Sequence, residues 1–161
     1  MPAERRWDIV DTPLGPLTLE AGLHGLAALH FPGRAPALDD RDRDREALAP
    51  AVAQLREYFA GQRRRFDLEL DLHGTPLQRA VWDRLQAIPY GTTMTYAELA
   101  GDLCRLAAVR AVGAAVGRTP VPIVVPCHRV VGSDGSLTGY GGGLERKRAL
   151  LELERGQRLL S

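Results

Sequence analysis

The sequence predicts a mixed fold, α/β in its α+β form. A small N-terminal α/β domain with an antiparallel sheet is expected over residues 1–72, and a mainly helical domain containing a helix-turn-helix over residues 73–161. Three observations predict it. Short alternating segments separated by turn residues crowd residues 7–31. Two helix-start signatures stand in the second half, Thr75-Pro76-Leu77-Gln78 and Thr95-Tyr96-Ala97-Glu98. Between the two regions, His73-Gly74 reads as a hinge.

Trp7 to Val10 alternates, Thr12-Pro13-Leu14-Gly15-Pro16 is dense in turn residues, and Leu17-Thr18-Leu19 resumes the alternation. Gly22 to Phe31 supplies a further strand, broken at Gly25. Residues 32–45 mix Pro, Gly, Asp and Arg without a period and read as an exposed loop. Leu48, Val52, Leu55 and Phe59 share one face of a helix from Glu46 to Phe59, with Gly61 as its stop. Phe66 to Leu72 alternates cleanly and is the best strand pattern in the chain.

Thr75 serves as N-cap to a helix with Pro76 at its first position and Gln78 closing a capping box. Leu77, Val81, Leu85 and Ile88 form its buried face, and Pro89-Tyr90-Gly91 ends it. The second box opens a short helix through Leu99 to Leu103. A turn at Cys104-Arg105 leads to a third helix from Leu106 to Val116, rich in Ala and Gly. Two short helices about a tight turn resemble a helix-turn-helix. The small residues either pack that helix in a core or let it approach another surface, with Arg110 and Arg118 as cations beside it. A last helix runs from Leu144 to Glu154 and buries Leu150, Leu151 and Leu153.

Composition excludes several classes. Hydrophobic content of 45% and charged content of 25% are those of a globular protein. No apolar run approaches the roughly 20 residues a membrane span needs, and Met1 to Trp7 lacks the core of a secretory signal. Two cysteines, Cys104 and Cys127, are too few for a disulfide framework and point to a reducing, cytoplasmic setting without a Cys-rich zinc site. The net charge of +1 divides into −3 over residues 1–74 and +4 over residues 75–161, so the second part is the one to face a polyanion.

The chemistry concentrates in Val124-Val125-Pro126-Cys127-His128-Arg129-Val130-Val131. An imidazole and a guanidinium beside a thiol lower its pKa and favour the nucleophilic thiolate. A buried structural cysteine is the alternative. Downstream, Thr138-Gly139-Tyr140-Gly141-Gly142-Gly143 puts glycines around one aromatic ring, either as a linker or as a close wall for a planar ligand.

Over residues 75–161 these motifs resemble the O6-alkylguanine-DNA alkyltransferases. Pro126-Cys127-His128-Arg129-Val130 carries the likeness, together with Ile88-Pro89-Tyr90-Gly91-Thr92, Arg110-Ala111-Val112-Gly113 and Leu137 to Gly143. The N-terminal part echoes the family at Asp11 to Leu17. The resemblance implies a suicide DNA-repair methyltransferase. It moves an alkyl group from O6 of a flipped guanine, with O4-alkylthymine a second candidate, to Cys127. It implies His128 as the base acting through a water, and Glu154 as the acid that orients it. Tyr96 is expected to help rotate the target phosphate and bond the flipped base, and Arg110 to fill the gap in the stack. Tyr140 and Gly141 are expected to wall the pocket. Ala111, Gly113, Arg118, Thr119, Arg129 and Val130 complete the expected substrate- and DNA-binding set. The expected partner is double-stranded DNA carrying the lesion, met on its minor-groove side by a monomer, with no membrane, metal or cofactor.

Three departures accompany the likeness. The family places Asn where this chain has Thr119, and Gly and Pro where it has Cys104 and Leu106. His24 and His73 lie near positions that bind zinc in some relatives but have no cysteines with them, so no zinc is expected. Two rival readings are a non-catalytic lesion binder that flags damage for excision and a regulatory helix-turn-helix protein using Cys127 as a sensor. Relatives of the first kind lack the cysteine, and the second requires an extra domain.

Overall fold

Strands form first where apolar and polar residues alternate. In a computed structural model of the protein, which describes residues 5–105 and 108–156, β1 (Arg6–Thr12), β2 (Gly15–Ala21) and β3 (Leu26–His30) make an antiparallel sheet in that order. Val10, Leu17, Leu19 and Leu29 are buried along it. The β1–β2 turn needs Gly15 at φ 98°, a left-handed conformation open to glycine, and Thr12 Oγ1 accepts from the Leu14 N–H at 3.1 Å within it. Helix α1 (Arg45–Phe59) starts at Asp44, whose carboxylate accepts from the Ala47 N–H at 3.0 Å, and packs on β1 and β2. Its buried face runs through Leu48, Ala51, Val52, Leu55 and Tyr58, so Tyr58 takes the inward place expected of Phe59.

The alternating segment 66–72 is not a strand of this sheet. It touches β3 through one bridge, Leu26 to Leu70, with the Leu26 N–H donating to Glu69 O at 2.9 Å and the Asp71 N–H to Leu26 O at 2.9 Å. The reason lies on α1. The Gln54 side chain takes both backbone groups of Asp67, accepting at 2.8 Å and donating at 2.9 Å, so they are withdrawn from any ladder.

The chain divides into two compact units between Leu72 and His73. In the second, α2 (Pro76–Leu85) and α3 (Tyr96–Asp102) both begin with complete capping boxes, at Thr75/Gln78 and Thr95/Glu98. Helix α2 ends at Leu85, three residues before Ile88, and buries Val81, Trp82 and Leu85. The Trp82 indole N–H donates to Ala115 O at 2.8 Å, fastening α2 to α4 (Val109–Gly117). Helix α4 also packs on α3. The expected third helix began at Leu106; Leu106 and Ala107 lie outside the described residues, and the described helix starts at Val109. Cys104 adopts φ 56°, so the turn after α3 keeps a glycine-like conformation without a glycine. Two short strands, β4 (Met94–Thr95) and β5 (Val130–Val131), pair in parallel, and α5 (Leu144–Glu154) closes the unit.

The apolar run before Cys127 is not a strand. Pro120, Pro122 and Pro126 remove the N–H groups a ladder needs. The segment folds instead into a buried turn, with the Val125 N–H donating to Val121 O at 2.9 Å and Ile123 at φ 77°. A left-handed β-branched residue is strained, and full burial at 1% exposure holds it there. Cys127–Arg129 form a single 3-10 turn between this loop and β5.

Candidate active site

The 3-10 turn places three consecutive functional side chains in the interior against α5. Cys127 is 5% exposed, His128 0% and Arg129 6%. Helix α5 brings Glu154 to meet them. One oxygen of Glu154 accepts from Arg129 Nε at 2.8 Å, and the other accepts from the Arg129 terminal nitrogen at 2.9 Å and bonds His128 Nε2 at 2.7 Å. The Gly91 N–H also donates to Glu154 at 3.2 Å. Burial alone would raise the Glu154 carboxyl, but bonds from His128 and Arg129 outweigh it and hold the group well below the usual carboxylate range. Glu154 is therefore ionised.

That charge fixes the tautomer of His128. Nε2 carries the hydrogen it donates to Glu154, so in the neutral ring Nδ1 is the basic nitrogen. Nδ1 is buried and has no hydrogen-bond partner among the described residues. Burial pushes the imidazole pKa down against the pull of Glu154, which keeps the ring neutral and able to take a proton.

Burial pushes the Cys127 thiol up to about 11, against the lowering influence of Thr119, the Lys147 ammonium and Tyr140. The resting group is thus a thiol, and a base must remove its proton before sulfur can attack. Thr119 follows α4, and its hydroxyl donates to Val116 O at 2.7 Å while lying within hydrogen-bond reach of the thiol. Where the family places Asn, Thr119 thus makes one hydroxyl bond back to the last turn of α4.

The other expected residues fall in two places. Tyr96 opens α3, half-buried, its hydroxyl 3.5 Å from Thr138 O. Gly113 of α4 faces that ring, and a Cβ there would sit 3.7 Å from it, an ordinary contact. Arg110 and Ala111 are exposed on α4, and Arg118 is exposed just past its end. Tyr140 is half-buried and Gly141 exposed in the glycine loop. Arg129 and Val130 do not join these surfaces. Arg129 is spent on Glu154 and on Ile88 O at 2.7 Å, with its guanidinium 5.7 Å from the Tyr90 ring centroid, and Val130 is fully buried.

Residues 76–156 match the family model for the 6-O-methylguanine DNA methyltransferase DNA binding domain, and residues 6–72 that for its ribonuclease-like domain. The chain belongs to the 6-O-methylguanine DNA methyltransferase family. It is 49% identical over 150 residues to the methylated-DNA–protein-cysteine methyltransferase of Mycobacterium tuberculosis, covering 92% of this chain and 91% of that one. It is 47% identical to the inducible methylated-DNA–protein-cysteine methyltransferase of Bacillus subtilis, over 80% of this chain and 69% of the relative. The structure of M. tuberculosis OGT in complex with DNA superposes with a TM-score of 0.85 at 48% identity, over 96% of this chain and 94% of the other.

Sequence reasoning missed Lys147. It lies one turn into α5, fully buried, and its ammonium donates to Thr138 O at 2.8 Å. The signal was present in the composition, because Lys147 is the only lysine in the chain.

Proposed function

We infer that the protein reverses alkylation damage in DNA directly. An alkyl group passes from O6 of an alkylated guanine to Sγ of Cys127, irreversibly and once per molecule. The observation that carries the assignment of roles is a buried thiol preceding a neutral histidine whose Nε2 is held by an ionised Glu154 and whose Nδ1 is open. His128 Nδ1 takes the thiol proton through an intervening water, and Glu154 stabilises the imidazolium that forms. The thiolate then attacks the alkyl carbon. The S–C bond forms, the C–O bond breaks, and O6 keeps the electron pair; the guanine ring nitrogen takes up a proton from water, and His128 releases the one it took from the thiol, so no net proton is gained or lost. The donor group arrives with the lesion, so the transfer draws on no metal or cofactor.

A base inside a duplex cannot meet a thiol that is 5% exposed, so the guanine is flipped out at a cost of a few kcal/mol. We assign residues 73–161 as the DNA-binding and alkyl-acceptor domain, with α3 and α4 as its helix-turn-helix. The exposed Arg110, Ala111 and Arg118 face the minor groove of double-stranded DNA, with Arg110 filling the vacated stack. Tyr96, Tyr140 and Gly141 receive the base. Among the described residues no helix is long and apolar enough to cross a membrane, and the protein acts as a cytoplasmic monomer on this reading. Retention of Cys127 separates it from proteins that only flag lesions.

The test is stoichiometry. A duplex containing O6-methylguanine, incubated with increasing protein, should lose one lesion per molecule, read by nucleoside analysis. Cys127→Ser should remove none while still binding the duplex. An intact lesion with the unaltered protein, or many lesions removed per molecule, contradicts the assignment.

A further inference from the structure

The Glu154 carboxylate, the Arg129 guanidinium and the His128 imidazole meet in the interior. One Glu154 oxygen accepts from Arg129 Nε at 2.8 Å and from the Gly91 N–H at 3.2 Å. The other accepts from the Arg129 terminal nitrogen at 2.9 Å and from His128 Nε2 at 2.7 Å. The third guanidinium nitrogen donates to Ile88 O at 2.7 Å, which pins the plane from its other side. Each carboxylate oxygen is therefore already met by two donors, and a proton added there would have to displace one of them.

Charge balance then acts on the histidine. With Arg129 positive and Glu154 negative, the three groups sum to zero when His128 is neutral. Without the guanidinium charge, the buried carboxylate would need another cation, because an unpaired ionised group in the interior is costly. One extra proton supplies it, and its two resting places close the same atom. On the imidazole it makes an imidazolium with a hydrogen on Nδ1. On Glu154 it is donated to Nε2, and the ring's own hydrogen moves to Nδ1. Either way the basic nitrogen is lost. Nδ1 is the atom that has no hydrogen-bond partner among the described residues.

The remaining surroundings do not take over this task. Burial, then Arg129 and Lys147, keep the imidazole neutral against the pull of Glu154. Lys147 of α5 donates to Thr138 O and makes no bond to the carboxylate. Cys127 is a neutral thiol at rest. Helix α2, which also packs on the 3-10 turn, buries Val81, Trp82 and Leu85, none of them ionisable.

We propose that Arg129 is the positioning residue of the base: its fixed charge stands in for a proton on the Glu154–His128 pair and so keeps Nδ1 of His128 bare and ready for the thiol proton. The proposal rests on the reading of Cys127 as alkyl acceptor and His128 as its base. Arg129 acts through Glu154. A guanidinium suits the task because it stays charged at any working pH and grips both carboxylate oxygens, whereas a buried lysine would titrate.

The chain has four histidines, and 15N-labelled imidazoles report the protonation of each nitrogen. In the unaltered protein at pH 7, His128 should carry a hydrogen on Nε2 and none on Nδ1. Arg129→Gln should put a hydrogen on Nδ1 at the same pH, and the pair should hold that proton at least about tenfold more tightly. Arg129→Gln combined with Glu154→Gln removes both charges, so the extra proton should leave and Nδ1 should be bare again. A purely structural role would not be reversed by a second loss in the same cluster. Single-turnover reaction with free O6-benzylguanine should be at least about tenfold slower in Arg129→Gln at pH 7, and the deficit should close as pH rises and the extra proton leaves. A hydrogen on Nδ1 in the unaltered protein, a bare Nδ1 in Arg129→Gln, or a protonated Nδ1 that persists in the double variant overturns the proposal. Should Arg129→Gln not fold, the unaltered protein and the double variant decide it: a bare Nδ1 in both supports the proposal, and a hydrogen there in either overturns it. The nitrogen signals need no DNA. Repair that proceeds while Nδ1 ignores Arg129 sinks this inference alone, and absence of transfer to Cys127 with the expected nitrogen pattern counts against the repair reading instead.

Discussion

The two units bury ions in different ways. In the N-terminal unit, Asp8 pairs with Arg43 at 3.0 Å, but the arginine side chain is 38% exposed and stacks 5.1 Å from the Trp7 ring. Glu20 is likewise buried while its partners His30 and Arg5 are 24% and 42% exposed. In the C-terminal unit both sides are interior: the side chain of Glu154 is 1% exposed, that of Arg129 7% and that of His128 0%. Water can relax the first kind of pair when a partner is lost, and the pair serves only the fold. The second kind has no such contact with bulk solvent. There Glu154 holds Nε2 of His128, and Nδ1 is left without a hydrogen-bond partner among the described residues.

Matched substitutions separate the two kinds of pair. Glu154→Gln leaves a buried guanidinium without its charge, and a loss of about 3–5 kcal/mol in denaturant unfolding is expected, together with loss of transfer. Asp8→Asn should cost about 1 kcal/mol or less, because Arg43 reaches solvent. Equal losses at the two sites would erase the distinction.

Stability against pH sharpens it from the other direction. The Cys127 pKa is raised by folding from 9.0 to about 11, so its contribution is complete below about pH 9 and is lost as pH climbs through 11. Glu154 is lowered by folding, so its contribution is present above about pH 4.5 and is lost as acid protonates it. Thermal melting across pH should show both limbs, and protein methylated at Cys127 should lack the alkaline one.

Arg110→Ala removes an exposed side chain with no role in the buried network. It should slow repair of duplex DNA by about tenfold, roughly 1.4 kcal/mol, and leave reaction with free O6-benzylguanine unchanged. Equal slowing on both substrates would take Arg110 out of base flipping.

Thr119→Val should lose about 1 kcal/mol of stability, the scale of one neutral hydrogen bond, by freeing Val116 O. Thr119→Asn gains a donor but adds volume beside a buried loop, and overpacking costs about 1–3 kcal/mol. The structure favours Thr119 as adapted to its place, so the Asn variant should melt no higher than the unaltered protein. A higher melting point together with faster single-turnover reaction would mean that a contact is missing.

What could be read from the sequence was what is local. Both capping boxes are reciprocal bonds between residues three apart, whereas the single bond by which Asp44 caps α1 went unread in a segment taken for loop. The β1–β2 hairpin announces itself by alternation around Pro13 and Gly15. Segment 66–72 misled because alternation says nothing about whether a neighbour will accept the ladder, and Gln54, 13 residues away, had taken its bonds. At the site, Cys127, His128 and Glu154 were legible through family motifs. The partners of Arg129 lie 25 and 41 residues from it, and its side chain looked available until those bonds were seen. Trp82 and Lys147 were overlooked for the same reason, since nothing near either residue in sequence reveals its burial.

On this assignment one sulfur, that of Cys127, receives the alkyl group and keeps it. Intact mass of the protein after incubation with a duplex containing O6-methylguanine, followed by peptide mapping, tests it directly. One added methyl group on the peptide carrying Cys127, with none on exposed Cys104, is the predicted result. An unchanged mass once the lesion has gone, or a methyl group carried by any other residue, would contradict it.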